Sequence, residues 1–493
     1  MIGIDPKYKV LWTWDYCVLW DDSYFVRGNG ATGENRRRAY FLRDYKRMVD
    51  FCAERGINGI VIWGALREHD DGVAQFRELV GYGKRKGVRI MPGIGVFAYG
   101  GVFYDPRREL NWMTESEYRN PCSLSSWLRE RPELAAIGRD GKPLSMNIFS
   151  AVACPSKREN LEWFKRSFEW LCDEFQIEGT QIEVGDYALC YCEECGRRRE
   201  GAANSVFMVE DMIEPYAAAY EIMKKTNADP WVICETYSSF AKPTEKETVG
   251  RFGGALDEKQ MGLLRGLPDG AVVQWAMDWA VPFEPTQEWR PEDVRLPNAN
   301  NIARIHHGSQ HSRNSVDEWA VQTVGEMVRK SRASGVNGVS IFGEESPASP
   351  PNEANYLVFS EFSGSGNPNP ECDLDLFFSK TLDPLYGGAG MAKEWRRIYI
   401  TAHTMRMDLK AILPEIKKSP FAPFIFHHNH YEIGKPDLLE TILKMSPAEK
   451  RGETIRLATE ARSHSSAMSG ETCRRWAWLE NWLWRAEFLH RMN

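Results

Sequence analysis

Residues 179–199 read GTQIEVGDYALCYCEECGRRR, and their reading decides the fold. Thr180-Gln181-Ile182-Glu183-Val184 is a short run with β-branched residues, opened and closed by glycines, which predicts a buried strand. Glu183 and Asp186 fall where that strand should stop, and Cys190, Cys192 and Cys195 follow closely. A strand that carries carboxylates to its carboxyl end and runs into a thiol-rich loop has the character of a site rim. The segments on either side show what surrounds it.

Working outward, the chain repeats one unit: an amphipathic helix, a glycine turn, then a short buried strand ending in a polar or aromatic residue. Upstream, strands are predicted over 10–15, 57–64 and 88–96, with helices over 36–55, 73–86 and 157–175. Downstream, strands are predicted over 231–235, 271–278, 302–306 and 335–343, the last preceded by a helix over 316–333. The second and eighth are near copies, GINGIVIWG and GVNGVSIFG. Eight strands alternating with helices predict parallel βα units closed into a (β/α)₈ TIM barrel over residues 1–370. No glycine-rich phosphate loop follows the first strand, which disfavours an open doubly wound sheet. Past residue 370 only helical periods remain, over 373–381, 392–414, 436–444 and 449–493, so residues 371–493 are expected to form a mainly helical C-terminal domain.

Composition narrows the function classes. Of 493 residues, 43% are hydrophobic and 27% charged, an ordinary balance for a soluble globular protein. The net charge of −7 argues against nucleic acid or an anionic membrane as partner. No stretch is apolar enough to span a bilayer, the amino terminus lacks a leader pattern, and the 11 cysteines look like reduced thiols, so a cytoplasmic location is expected. Self-association is left open.

Barrel enzymes carry their chemistry at the carboxyl ends of the strands. There this chain places Asp15, Glu183, Asp186, Glu235, Asp278, Glu344 and Glu345. Burying that many acids is costly unless they are used or paired, so as a group they mark a site. Trp14, Trp63, Tyr99, Tyr187, Tyr237, Trp275 and Trp279 recur at the same ends and suit a sugar-sized cleft; Arg304, His306 and His307 could meet substrate hydroxyls or a uronate carboxylate. Hydrolysis of a glycosidic bond needs two carboxyl groups flanking it. The expected general acid is Glu183 or Asp186, with Glu344 or Glu345 as base or nucleophile. Glu235 and Asp278 would hold hydroxyls or take a catalytic role themselves. No cofactor is expected for this catalysis. The alternatives are substrate-assisted hexosaminidase chemistry and a sugar-binding barrel without hydrolytic activity.

The thiols Cys190, Cys192 and Cys195 have metal-ligand spacing, and Cys154 is the first candidate for a fourth ligand, with Cys122 behind it. Such an all-thiolate site would hold a structural zinc. The strand ending in acids, the C-x-C-x-x-C and the upstream cysteine resemble the zinc-bearing loop of family-42 β-galactosidases. Where that family has an Asn-Glu pair after the strand, this chain has Val184-Gly185. The stretches Asn355 to Phe362, Asp373 to Phe378 and Asp383 to Gly388 are similar to those of α-glucuronidase and β-hexosaminidase-like barrels. In those barrels such a segment joins the barrel to a C-terminal helical domain. Both resemblances imply a glycoside hydrolase barrel acting on a carbohydrate.

Overall fold

In the computed structural model the strands and helices alternate through the first two-thirds of the chain. They run β1 (Tyr8–Trp14), α1 (Arg38–Glu54), β2 (Gly59–Trp63), α2 (Gly72–Lys86), β3 (Arg89–Ile94), α3 (Leu124–Glu130) and α4 (Arg158–Phe175). After these come β4 (Gly179–Ile182), α5 (Glu193–Arg199), α6 (Val209–Lys224), β5 (Trp231–Glu235), α7 (Glu258–Arg265), β6 (Val272–Ala276), β7 (Asn300–His306), α8 (Val321–Ala333) and β8 (Gly338–Phe342). The structure describes residues 6–15, 18, 20, 38–66, 72–103, 120–144, 152–183, 189–199, 209–236, 256–276, 296, 299–306, 319–342, 346–364, 369, 371–407, 409–410 and 436–492.

Each strand pairs in parallel with the next, and β8 returns to β1 through Tyr8↔Gly338 and Trp12↔Phe342, so the barrel is closed. Every residue of β1 and β2 is buried, as expected of strands covered by helices outside and by one another inside. The near-copied Asn-Gly pairs have a common physical cause. Asn58 accepts from the Lys9 amide at 2.9 Å and donates to the Lys7 carbonyl at 2.9 Å. Asn337 accepts from the Asn301 amide at 2.8 Å. Each side-chain amide thus bonds the backbone of the preceding neighbour strand at the foot of the barrel, where the ladder is beginning and backbone groups would otherwise lack partners.

The helical part follows as α9 (Pro350–Ser363), α10 (Leu374–Phe377), a π turn over Phe378–Leu382, α11 (Asp383–Tyr386), α12 (Met391–Met405), α13 (Pro436–Lys444), α14 (Pro447–Ala467) and α15 (Gly470–Met492). The joining segment is α9, a buried helix opened by Pro350 and Pro351. Asp383 accepts from the Gly390 amide at 2.8 Å and the Ala392 amide at 3.0 Å, so it satisfies the open amino end of α12. The single helix expected over 449–493 is two helices, broken where Gly470 takes a positive φ of 57°. Likewise the helix expected over 392–414 ends at Met405. Trp395 centres this region, with ring centroids 5.5 Å from Trp319, 5.4 Å from Tyr399 and 6.1 Å from Trp478. Among the described residues no helix is long and apolar enough to cross a membrane.

His403 on α12 stacks between Tyr399 and Trp482, at 5.6 and 6.5 Å. Burial pushes its imidazole down from 6.5 to about 3. The unfolded chain therefore takes up a proton near pH 6.5 that the folded chain refuses until about pH 3. Its contribution is full above pH 6.5 and is lost as the pH falls through that window, on the order of 3–5 kcal/mol in all. Urea midpoints measured from pH 7 to pH 4 should fall steeply for the wild type. They should fall less for His403→Phe, which keeps the stack and removes the titration.

Candidate active site

The barrel mouth is built by continuing β1 and β4 one step past their last ladder pairs, and by the residue that closes the ladder of β5. The Asp15 amide donates to the Trp63 carbonyl at 2.8 Å, and the Glu183 amide donates to the Ile94 carbonyl at 3.1 Å. Glu235 is the last residue of β5, and its own carbonyl accepts from the Tyr216 hydroxyl at 2.5 Å. The three carboxylates come from β1, β4 and β5 and are 2%, 7% and 0% exposed. Buried acids at strand ends, one after another, require partners or a use.

Glu235 has visible partners. One carboxylate oxygen lies 3.5 Å from Arg304 Nη1, and the other accepts from Gln181 Nε2 at 3.3 Å. Gln181 also donates to Gln274 Oε1 at 2.8 Å and accepts from Trp63 Nε1 at 3.5 Å. This chain of polar groups crosses the barrel from β2 through β4 and β5 to β6 and β7. Trp63 can reach Gln181 only because β3 carries glycine between them: a Cβ on Gly93 would lie 2.2 Å from Trp63 Nε1. Gly93→Ala should therefore push the indole off Gln181, costing about 1–3 kcal/mol as an overpacked core does. A shifted thermal midpoint together with altered tryptophan fluorescence would report it.

The aromatics divide. Trp14, Trp63 and Tyr99 gather at the β1–β3 side of the mouth, with Trp63 at 6.0 Å from Trp14 and 5.5 Å from Tyr99. Tyr99 holds a positive φ of 56°, uncommon for a tyrosine and an arrangement found where a site over-determines its backbone. Trp275 stands apart. It donates to Asn301 Oδ1 at 3.0 Å, and strand alternation turns it away from Gln274, which joins the interior chain. Asp186, Tyr187, Tyr237, Asp278, Trp279, His307, Glu344 and Glu345 lie outside the described residues, as does the side chain of His306. The sequence alone did not single out Gln181, Gln274 or Tyr216. A polar residue in the middle of a buried strand was the signal for the first two.

Beside this mouth Cys154, Cys190, Cys192 and Cys195 converge, their sulfurs all within 4.8 Å of one another. Cys154 Sγ is 3.6 Å from Cys190 Sγ, 3.7 Å from Cys192 Sγ and 3.6 Å from Cys195 Sγ. Four sulfurs about 2.3 Å from one ion would stand roughly 3.8 Å apart, so the thiols present fit a tetrahedral metal ion. The neighbouring sulfurs of Cys154 and Cys195 draw the Cys190 thiol below the usual range, while the same grouping drives Cys154 upward. Cys122 is not part of the group. Nearby, burial pushes the Asp211 carboxyl up to about 6 against the pull of the Arg198 guanidinium.

No protein-family model matches the sequence. No curated protein matches it either. Solved structures do. A GH138 enzyme targeting pectin rhamnogalacturonan II is 11% identical with a TM-score of 0.50, over 99% of this chain and 57% of that one. A variant of the O-GlcNAc hydrolase of Thermobaculum terrenum is 10% identical with a TM-score of 0.48, over 99% of this chain and 83% of that one. A β-N-acetylhexosaminidase of Bacteroides fragilis is 13% identical with a TM-score of 0.42, over 76% and 70%. With the GH138 enzyme this chain shares its overall architecture, and the likeness is one of fold.

Proposed function

We propose that this protein hydrolyses an O-glycosidic bond with a pair of carboxyl groups at the barrel mouth. The observation that carries the proposal is the delivery of Asp15, Glu183 and Glu235, all buried, to the carboxyl ends of three strands beside Trp14, Trp63 and Tyr99. Carboxyl groups can protonate a leaving oxygen and activate water or attack directly, and aromatic faces suit the C–H faces of a sugar. Fold alone would not support this, because one barrel hosts many chemistries. That a GH138 enzyme has a similar fold agrees with it.

In this scheme Glu183 or Asp186 is the general acid, with Glu344 or Glu345 as base or nucleophile. Glu235, engaged by Arg304 and Gln181, fixes the floor beneath the substrate. Asp278, Tyr187, Tyr237, Trp279, His306 and His307 complete the substrate contacts. The four thiols hold a structural zinc that pins the 190–195 loop to Cys154, and residues 371–493 form a helical domain joined to α9 through Arg475 and Glu353. Such a closed site keeps the loop after β4 in place and supplies no step of the chemistry.

Purified protein screened against aryl glycosides and natural oligosaccharides, including uronides and N-acetylhexosaminides, should turn over at least one. Retained sugar binding without turnover on any of them would replace the hydrolase with a sugar-binding barrel. Metal analysis should find one zinc per chain, and stripping it with a chelator should lower the thermal midpoint.

A further inference from the structure

Four thiolates around a divalent ion carry a net charge of −2. Such a charge in a partly buried cluster needs compensation from outside the ligand set. Cys195 sits in the first turn of α5, and Arg198 follows one turn later on the same face. Arg198 Nη2 lies 3.6 Å from Cys195 Sγ, in donating geometry toward the sulfur. The same guanidinium is also held by Asp211 on α6, with Nη2 and Nε at 2.6 and 3.1 Å from one carboxylate oxygen. The Asp211 side chain is fully buried and Arg198 is 32% exposed, so the carboxylate end of this grip is closed to solvent.

Other donors are neutral. Ser156 Oγ lies 2.9 Å from Cys195 Sγ, and the Ile137 amide donates to Cys190 Sγ at 3.4 Å. Arg199 turns to backbone instead, donating to the Cys195 and Cys190 carbonyls. Among the hydrogen bonds to the cluster's sulfurs described here, Arg198 alone brings a full positive charge.

Resting on the zinc assignment above, we infer that Arg198, anchored by Asp211, is the positioning residue that raises the metal affinity of the four-thiol cluster. It does so by placing a fixed cation against Cys195. The ion pair also ties the metal-bearing helix α5 to the start of α6.

The test is competition of the metal-stripped full chain against a chromophoric chelator for Zn²⁺. Arg198→Met should bind about 10–100-fold more weakly than wild type. Arg198→Lys, which keeps charge and loses the fork, should fall between them. Arg197→Met removes the same charge from an exposed neighbour and should bind as wild type does. At saturation with Co²⁺, wild type and Arg198→Met should show the same thiolate-to-cobalt charge-transfer bands, which a disrupted ligand set would not. Should Arg198→Met fail to fold, Arg198→Lys and Asp211→Asn carry the comparison. Equal Zn²⁺ affinity in wild type and the Arg198 variants overturns this inference and leaves the zinc assignment standing. A wild type that takes up neither Zn²⁺ nor Co²⁺ overturns both.

Discussion

Glu183→Gln is expected to lower turnover of the best glycoside by about 10²–10⁴-fold, the range supplied by a positioned general acid or base. The backbone makes Glu183 the candidate to examine first. β4 ends at Ile182, and the Glu183 amide still bonds Ile94, so the residue is fixed by the sheet while its side chain lies just beyond it. Its 7% exposure separates it from Glu235, which is fully enclosed and engaged by Arg304 and Gln181. An acid that must give a proton to a substrate has to be reachable, and an acid that organises a floor does not. Glutamine keeps the shape and removes the proton, so KM should change little while kcat falls. A general-acid role also predicts selectivity among leaving groups: aryl glycosides with good leaving groups should suffer less than natural ones, because they need less protonation. Unchanged kcat on both substrate types would remove Glu183 from catalysis and turn attention to Asp186. Glu235→Gln should behave differently, losing stability as well as activity because Arg304 would be left facing a neutral amide.

The barrel was legible because its signals are local and repeated. Buried strands in this fold are apolar on both faces, and their spacing by helices needs no long-range information. The near-copied Asn-Gly pairs were visible too, although only the structure shows Asn58 and Asn337 bonding neighbouring strands. The four-thiol cluster could be assembled from spacing plus one upstream cysteine, and Cys154 is indeed the fourth sulfur. The interior polar chain was not legible, since Gln181 and Gln274 meet only through barrel closure. Nor was the split of the last helix, because one glycine among good helix formers costs only about 1 kcal/mol and tertiary packing decides. Trp275 shows the same limit: a tryptophan next to a strand end carries no mark of which face it will take until the register is known.

Arg475→Met is expected to destabilise the folded chain by about 3–5 kcal/mol, the largest stability effect of any single substitution considered. Arg475 on α15 makes two parallel bonds to Glu353 on α9, at 2.8 and 2.6 Å, and both side chains are nearly enclosed, at 5% and 10% exposed. It also donates to the Leu385 carbonyl at 3.4 Å, and its own carbonyl accepts from Trp395 Nε1 at 3.1 Å. The pair therefore joins the helix that follows the barrel to the last helix of the chain, through the middle of the tryptophan cluster. Removing the guanidinium leaves the Glu353 carboxylate buried with, among the described residues, Arg474 as the remaining paired cation, at 3.7 Å and 37% exposed. That stranded charge, more than the lost attraction, is the source of the effect. Arg475→Met combined with Glu353→Gln should accordingly recover much of the loss, since a neutral amide tolerates burial far better than a carboxylate. Denaturant midpoints for the two single variants and the double variant close the cycle. If the double variant is no more stable than Arg475→Met alone, the stranded carboxylate is not what destabilises the chain, and the lost contact of the guanidinium with the Tyr386 ring would be the cause instead.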